Sequence, residues 1–204
     1  MTNEKEELYL TKEELASLPV ERYTKQIIVT DTEEDADKAV KYLSRFKAIG
    51  FDTETRPTFK KGMQRRTSLI QLSTEKLTFL FRINRIGIPA SLKSLLGDTK
   101  VAKIGLSLKD DFLVLRRMEP TLQFVSFIDL QSLVQKFNIK NKGLRGIYGV
   151  LFGKKISKSQ RLSNWEADEL GESQKRYAAL DAWATLRIYI HLMKDETKHD
   201  KTTP

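Results

Sequence analysis

Residues 49–55, with the sequence IGFDTET, are an apolar run that ends in two carboxylates one residue apart. Successive side chains of a β-strand point to opposite faces of a sheet, so Asp52 and Glu54 share one face if this segment is a strand. Two ionised carboxylates beside a buried strand repel each other and resist removal from water. A divalent cation with oxygen ligands would compensate for both effects, and the alternative is a strand that ends in solvent. A metal site is therefore the first hypothesis to test against the rest of the chain.

Length and composition indicate an ordinary globular domain. A chain of 204 residues is long enough to bury a sizeable core, and its lack of cysteine excludes disulfides and thiolate metal sites. Residues 1–7 are polar and charged, unlike a signal peptide, and no later apolar run is long enough to span a bilayer. We therefore expect a soluble intracellular protein of the cytoplasm, without a membrane partner. The net charge of +9 favours a polyanionic partner.

Hydrophobic periodicity predicts an α/β protein with a mixed sheet flanked by helices. The first part of the chain predicts an antiparallel meander because three strands follow one another through short connections. From residue 88 onward helices and strands alternate, which predicts parallel pairing. Thr30 or Asp31 is predicted to cap the first main helix. The predicted strands are residues 26–29, 48–53, 68–73, 77–83, 101–104 and 124–128. The later predicted helices are residues 90–96, 106–118, 130–137 and 172–193.

The chain carries no internal repeat and no low-complexity linker that would divide it into two domains. We assign residues 1–24 to an N-terminal arm that docks on the domain. Residues 25–193 form the domain itself. Residues 194–204 form a polar C-terminal tail.

The long C-terminal helix places a tyrosine and an aspartate on one face. Tyr177 and Asp181 are four residues apart, and Asp181 lies in the apolar stripe of Leu180, Ala184 and Ile188. An aspartate in a core stripe requires a partner, and the Tyr177 phenol can donate a hydrogen bond to a water or a carboxylate. Two interpretations stay open at this point: Asp181 is a metal ligand, or it pairs with a neighbouring lysine or arginine.

A second helix offers two adjacent aspartates, Asp110 and Asp111. Asp111 flanks the apolar stripe that contains Leu108 and Leu115. Asp110 instead lies on the helix face of Ser107 and Arg117, which is polar. Asp111 is therefore the candidate site residue, and Asp110 is interpreted as a solvated charge. Asp129 lies at the junction of a predicted strand and a helix. We interpret it first as the N-cap of that helix, and a role as a metal ligand is the less favoured alternative.

Positive charge brackets the proposed acidic site. No acidic residue lies between Asp129 and Glu166, whereas eight lysines and arginines do, and a second basic cluster follows the organising strand. A surface of one sign is typical of a protein that binds the phosphate backbone, and a plain solvated face is the alternative. The residues that we predict to bind nucleic acid are Lys60, Arg65, Arg66, Lys142, Arg145, Lys154, Lys155, Lys158 and Arg161.

Four parts of the sequence resemble the motifs of the DEDD 3′–5′ exonucleases. They are FDTET at residues 51–55, SLIQL at 68–72, KIG at 103–105 with DFLVL at 111–115, and QKRYAALDA at 174–182. The tyrosine four residues before the last aspartate places the resemblance in the DEDDy branch. This branch contains ribonuclease D, the Werner-syndrome exonuclease domain and the polymerase I proofreading domain. The similarity covers about residues 25–192, with one departure at residues 168–170, where many relatives have Arg-Pro-Leu and this chain has DEL.

The resemblance implies a ribonuclease H-like fold and a 3′–5′ exonuclease that releases nucleoside 5′-monophosphates from a DNA or RNA 3′ end. It also implies two divalent cations, Mg²⁺ or Mn²⁺, and assigns the acids to them. Asp52 would bridge both ions, Glu54 and Asp181 would complete one site, and Asp111 would serve the other partly through water. Tyr177 would orient the attacking water. The alternative function is a non-catalytic nucleic-acid-binding module on the same fold, against which the intact acidic quartet argues.

Overall fold

The computed structural model describes residues 7–57 and 66–199, without the side chains of residues 195 and 197–199. Within these residues, six strands form one sheet. The strands are β1 (Gln26–Thr30), β2 (Ala48–Thr55), β3 (Thr67–Ser73), β4 (Leu77–Phe81), β5 (Ala102–Gly105) and β6 (Phe127–Asp129). The helices are α1 (Lys12–Ser17), α2 (Glu33–Leu43), α3 (Ile83–Ile86), α4 (Ala90–Leu96), α5 (Lys109–Met118), α6 (Leu130–Leu133) with a 3₁₀ turn at Val134–Phe137, α7 (Leu144–Phe152) and α8 (Glu172–His199).

The sheet is mixed, as predicted, and its strand order is β1-β4-β3-β2-β5-β6. β2, β3 and β4 form the predicted antiparallel meander, and β5 and β6 extend the sheet beyond β2 in parallel. β1 pairs in parallel with β4, an arrangement that the sequence pattern did not predict. β2 therefore has a neighbouring strand on each side.

Helices cover both faces of the sheet. On one face, α2, α4 and α5 pack over Ile49, Phe51 and Ile70. On the other face, α6, α7 and α8 pack over Leu69 and Leu80. Because the side chains of a strand alternate, β3 contributes to both cores through successive residues.

The long helix α8 packs very closely against β2 at Gly50. A Cβ at this position would overlap the carbonyl oxygen of Ala182 and lie 2.9 Å from its carbonyl carbon, so only glycine fits. Near this point the Thr185 hydroxyl donates to the carbonyl oxygen of Ile104 at 2.7 Å. These two contacts hold α8 against β2 and β5.

Two helices differ at their ends from the prediction. α2 is capped by Thr32 instead of Thr30 or Asp31, and the Thr32 hydroxyl accepts a hydrogen bond from the backbone N–H of Asp35 at 3.1 Å. α8 continues to His199, beyond the predicted end at residue 193. Although α8 is long, no helix in the described ranges combines the length and the apolar character that crossing a membrane requires.

Asp129 has the capping role that its position predicts. Its carboxylate accepts a hydrogen bond from the N–H of Gln131 at 2.9 Å, at the start of α6. It also accepts from the N–H groups of Ser107 and Leu108, each at 3.0 Å. Because Ser107 has a positive φ of 58°, the chain turns there and α5 begins at Lys109, three residues later than predicted.

Candidate active site

Three carboxylates meet near the C-terminal end of β2. Asp52 and Glu54 come from β2 and Asp181 comes from α8, and one carboxylate oxygen of each lies within 4.8 Å of the others. Glu54 and Asp181 are each 8% exposed, and Asp52 is half-buried. The alternation of side chains along β2 and the close approach of α8 at Gly50 together produce this cluster. The structure thus brings together three of the four predicted metal ligands.

Regular strand pairing is interrupted beside the cluster. In the register of β2 with β3, Asp52 lies opposite Gln71 and Glu54 lies opposite Leu69, and the register shifts between Glu54 and Thr55. Such an irregularity bends a strand and increases its twist, which changes the direction of the side chains at its end. Asp52 and Glu54 therefore stay paired with β3, and the irregularity follows directly after Glu54.

The fourth predicted ligand, Asp111, reaches this region from α5. It is half-buried, and its Oδ1 accepts a short hydrogen bond from the hydroxyl of Thr53. Burial raises the pKa of Asp111 to about 6, and the hydrogen bond from Thr53 opposes this shift. Asp111 lies outside the group of three close oxygens. Asp110, its neighbour in the sequence, is exposed, as the helical pattern predicted.

The two acids of β2 resist ionisation. Burial, followed by the charges of Asp181 and Asp111, raises the pKa of Asp52 well above its usual value. Burial, followed by the charge of Asp52, raises the pKa of Glu54 to about 10. At neutral pH these carboxyl groups cannot all be ionised without a compensating positive charge.

Asp181 provides an independent indication that a cation fits the site. Burial raises the pKa of Asp181 to about 7, while a hydrogen bond from Tyr177 and the charge of Lys158 lower it. Its Oδ1 is buried and has no hydrogen-bond partner among the described residues. A buried carboxylate oxygen without a partner is costly, and carboxylate oxygens are the ligands that Mg²⁺ and Mn²⁺ prefer. The donor set therefore fits a divalent cation.

Tyr177 lies one turn before Asp181 on α8 and is half-buried. Its ring centroid is 6.1 Å from that of Trp165, which is fully buried in the segment that precedes α8. Burial, followed by the charges of Asp181 and Glu54, raises the pKa of Tyr177 above its usual value. The phenol therefore keeps its proton at neutral pH and can donate a hydrogen bond.

A pocket of about 500 Å³ includes Tyr177 and Asp181 in its lining. Three cationic residues, Lys12, Arg145 and Lys158, also line it. Its volume lies within the range of small-molecule sites, roughly 300–1,000 Å³. The apolar residues of its lining are Leu15, Ala16, Leu144 and Ile156.

Of the predicted nucleic-acid-binding residues, Arg145 and Lys158 line this pocket. Lys142 and Arg161 are exposed and lie within three residues of Arg145 and Lys158 along the chain. Arg66 is exposed immediately before β3. Lys60 and Arg65 lie outside the described residues.

The other two, Lys154 and Lys155, contact the N-terminal arm instead of the pocket. Lys154 Nζ lies 3.1 Å from Glu21 Oε1, and Glu21 is itself buried. The Lys155 ammonium donates a hydrogen bond to the carbonyl oxygen of Ala16. Their described contacts are thus within the chain.

Two residues of the site were not among the predicted ones. Thr53 holds Asp111, although strand alternation places Thr53 on the face opposite to Asp52. Gln71 lies across from Asp52, is fully buried, and has no hydrogen-bond partner for either amide atom among the described residues. The signal for Gln71 was its position inside the segment at residues 68–72 that resembles the family. Thr53 had the same signal, because it lies inside the segment at residues 51–55 that resembles the family.

The chain matches the 3′–5′ exonuclease family over residues 27–196. A curated relative, the bifunctional 3′-5′ exonuclease/ATP-dependent helicase WRN of Mus musculus, is 36% identical over 154 residues. That alignment covers 72% of this chain and 11% of the relative, so the chain corresponds to a small part of that protein.

Solved structures share the fold. The Nibbler EXO domain of Aedes aegypti superposes with a TM-score of 0.79 at 25% identity, covering 88% of this chain and 94% of that one. Ribonuclease D of Escherichia coli, an exoribonuclease involved in structured RNA processing, has a TM-score of 0.74 at 26% identity, covering 86% of this chain and 46% of that one. The ribonuclease H-like fold is confirmed. Fold, motifs and family match agree that this chain belongs to the 3′–5′ exonuclease family.

Proposed function

We propose that this chain is a metal-dependent 3′–5′ exonuclease that hydrolyses phosphodiester bonds and releases nucleoside 5′-monophosphates from a 3′ end. The observation that carries the proposal is the cluster of Asp52, Glu54 and Asp181 within 4.8 Å, in a chain of the exonuclease family. Such a cluster is costly to bury and therefore calls for a function. The catalytic domain would span residues 25–193, between the arm at residues 1–24 and the tail at residues 194–204.

Two divalent cations, Mg²⁺ or Mn²⁺, are the cofactors that we propose for this donor set. Asp52 would be shared by both ions, Glu54 and Asp181 would complete one site, and Asp111 would serve the second partly through water. When bound, such a pair would supply an activated water and charge stabilisation for the leaving 3′ oxygen. The chain itself holds the donors in place, because Gly50 admits α8 and the Thr53 hydroxyl holds Asp111.

Tyr177 is proposed to orient the attacking water. Its phenol is one helical turn from Asp181, and its raised pKa makes it a hydrogen-bond donor instead of a base. Packing against Trp165 fixes the ring, so the hydroxyl is positioned before substrate arrives.

The basic residues at the pocket are proposed to bind the nucleic-acid backbone. Arg145 and Lys158 line the pocket, and the exposed Lys142, Arg161 and Arg66 would extend the positive surface around it. Contacts of this kind position the strand without reading its sequence and weaken with salt. DNA and RNA are both proposed substrates, and the likeness to the exoribonuclease of E. coli supports testing RNA first.

A time course on matched single-stranded DNA, recessed-duplex DNA and RNA tests the proposal, each with Mg²⁺ or Mn²⁺ and with EDTA. We expect strands with a 5′ label to shorten one nucleotide at a time, nucleoside 5′-monophosphates to accumulate, and EDTA to stop the reaction. Asp52→Asn should abolish turnover while the circular dichroism spectrum stays unchanged. Binding of these strands without any shortening would favour the non-catalytic binding module instead.

A further inference from the structure

Part of the N-terminal arm lines the pocket although it lies outside the range that matches the family. The match covers residues 27–196. Lys12, Leu15 and Ala16 of α1 nevertheless share the pocket lining with Tyr177 and Asp181. α1 thus contributes to the pocket beside the proposed active site from outside the matched range.

Hydrogen bonds hold the arm on both sides of α1. Before α1, the N–H of Leu10 donates to Asn141 Oδ1 at 2.9 Å, and Asn141 Nδ2 donates to the Leu10 carbonyl oxygen at 3.0 Å. After α1, the N–H of Lys155 donates to the Pro19 carbonyl oxygen, and the N–H of Glu21 donates to the Lys155 carbonyl oxygen, each at 2.9 Å. With 6 residues, α1 is too short to be stable alone, so these contacts determine its position.

α1 also packs directly on α7. A Cβ at Gly149 would lie 2.5 Å from Leu15 Cδ2 and 3.2 Å from Leu18 Cδ1, so the glycine lets the two helices approach closely. On the same helix, the Arg145 guanidinium donates to the Leu15 carbonyl oxygen at 3.3 Å. The arm is therefore docked by packing as well as by hydrogen bonds, and Lys12 is held at the pocket.

The charge of Lys12 is available to a ligand. Lys12 is exposed, and none of the acidic side chains that the structure describes forms a salt bridge with it. Arg145 of α7 and Lys158 of the loop before α8 line the same pocket, so three separate elements each contribute one cation. Convergent cations around a pocket that also holds Asp181 are complementary to a polyanion whose end reaches the carboxylates.

We propose that α1 is part of the substrate site and that Lys12 binds a backbone phosphate of a single-stranded 3′ end, upstream of the scissile bond. Leu15 and Leu144, which line the same pocket, supply an apolar surface for a base or sugar. This inference rests on the proposed exonuclease function, since both concern the same pocket. Lys12 is a substrate-binding residue in this account and takes no part in bond cleavage.

The test compares Lys12→Glu and Lys12→Arg with the matched control Lys41→Glu. Lys41 is an exposed lysine of α2, which packs on the opposite face of the sheet, and its replacement changes the net charge by the same amount. Two substrates are used: a single-stranded oligonucleotide, and a p-nitrophenyl ester of a nucleoside 5′-monophosphate, which has no upstream phosphate. Binding of a fluorescent single strand is measured separately by anisotropy in EDTA over a range of salt concentrations.

We expect Lys12→Glu to raise KM for the oligonucleotide about tenfold at moderate salt, with kcat unchanged at saturation. The slope of log affinity against log salt should fall in magnitude by about one, because one phosphate contact is lost. Lys12→Arg should retain the wild-type KM. Lys41→Glu should match wild type, and the p-nitrophenyl ester should be cleaved equally by all variants.

An equal KM and salt slope for Lys12→Glu and Lys41→Glu would overturn the inference while leaving the exonuclease function intact. If the wild-type chain binds the strand but never shortens it, the exonuclease proposal fails, and the anisotropy series in EDTA still decides the role of Lys12. A Lys12→Glu variant that binds more tightly than wild type would also contradict the inference, because the arm would then obstruct the pocket.

Discussion

The two neighbouring aspartates of α5 differ in their surroundings. Asp111 is half-buried and accepts a hydrogen bond from Thr53, whereas Asp110 is exposed. A carboxylate held at a fixed place beside other acids can share a cation, while a solvated carboxylate on a helix contributes little beyond solubility. Adjacent residues of the same type therefore have different expected roles.

Asp111→Asn should lower kcat by about 100-fold, because the proposed second cation would lose a carboxylate ligand. Asp110→Asn removes the same charge one residue away and serves as the control, with kcat within about twofold of wild type. Both are measured by release of nucleoside 5′-monophosphate from a labelled strand. Equal activity of the two variants would remove Asp111 from the proposed site.

Tyr177→Phe isolates the phenol hydroxyl from the packing of the ring on Trp165. We expect kcat to fall about 10- to 100-fold with KM nearly unchanged, because orientation of the water affects the transition state more than substrate binding. Steady-state kinetics on one oligonucleotide checks this prediction. A variant that changes KM alone would show that Tyr177 binds substrate instead of positioning water.

At the scale of elements, the site depends on how closely α8 packs against β2. Gly50→Ala would place a Cβ 2.9 Å from the carbonyl carbon of Ala182, so α8 must shift and Asp181 with it. We expect a loss of about 1–3 kcal/mol in the free energy of unfolding, together with a large loss of activity. Gly97→Ala is the control, since its nearest neighbour would be at 3.5 Å, an ordinary contact. Denaturant melts and activity assays of both variants test this; a fully active Gly50→Ala protein would contradict it.

Elements and their faces could be predicted from the sequence because the signals are local. Alternation places Asp52 and Glu54 on one face of β2, and helical spacing places Asp181 beside Tyr177; the structure has both arrangements. The parallel pairing of β1 with β4 could not be predicted, because it depends on which edge of the finished sheet β1 reaches. The contact of α8 at Gly50 could not be predicted either, because a glycine in a strand does not indicate which element packs against it.

The basic residues illustrate the same limit in the site. Counting charge along the chain identified Lys154 together with Lys158, although Lys154 pairs with Glu21, which is far away in the sequence. Lys12 was overlooked for the opposite reason, because it lies in an arm whose position is fixed by contacts with residues more than 100 positions away. The distribution of charge along the sequence shows where basic residues occur. Tertiary packing determines which of them pair with acidic residues and which line the pocket.

At the scale of the whole molecule, the acidic cluster links stability to pH and to metal. The folded-state pKa values of Glu54 and Asp181 are raised to about 10 and about 7 from usual values of 4.5 and 3.8. Between the unfolded-state and folded-state pKa values, the folded protein holds protons that the unfolded chain releases. The contribution of these two carboxyl groups to the free energy of unfolding is therefore complete below about pH 4, and it is lost as pH rises through their folded-state pKa values.

Thermal melts in EDTA test this linkage. We expect Tm of the metal-free protein to fall from pH 5 to pH 8. Addition of Mg²⁺ should raise Tm most at pH 8, because protons compete least with Mg²⁺ for the carboxylates there. Asp52→Asn should stabilise the metal-free protein at pH 8 by about 1–3 kcal/mol, or roughly 2–12 °C in Tm. The control Asp37→Asn replaces an exposed acid of α2 and should change little. A Tm in EDTA that is independent of pH over this range would contradict the account of the cluster.

Acids from β2, α5 and α8 are proposed to bind a pair of divalent cations together. Calorimetric titration of Mn²⁺ into the wild-type chain and into Asp52→Asn near neutral pH examines this proposal without relying on turnover. We expect wild type to bind two equivalents and Asp52→Asn to lose the paired binding, with the fold of both proteins intact. Absence of specific Mn²⁺ binding by wild type, or identical isotherms for the two proteins, would contradict it.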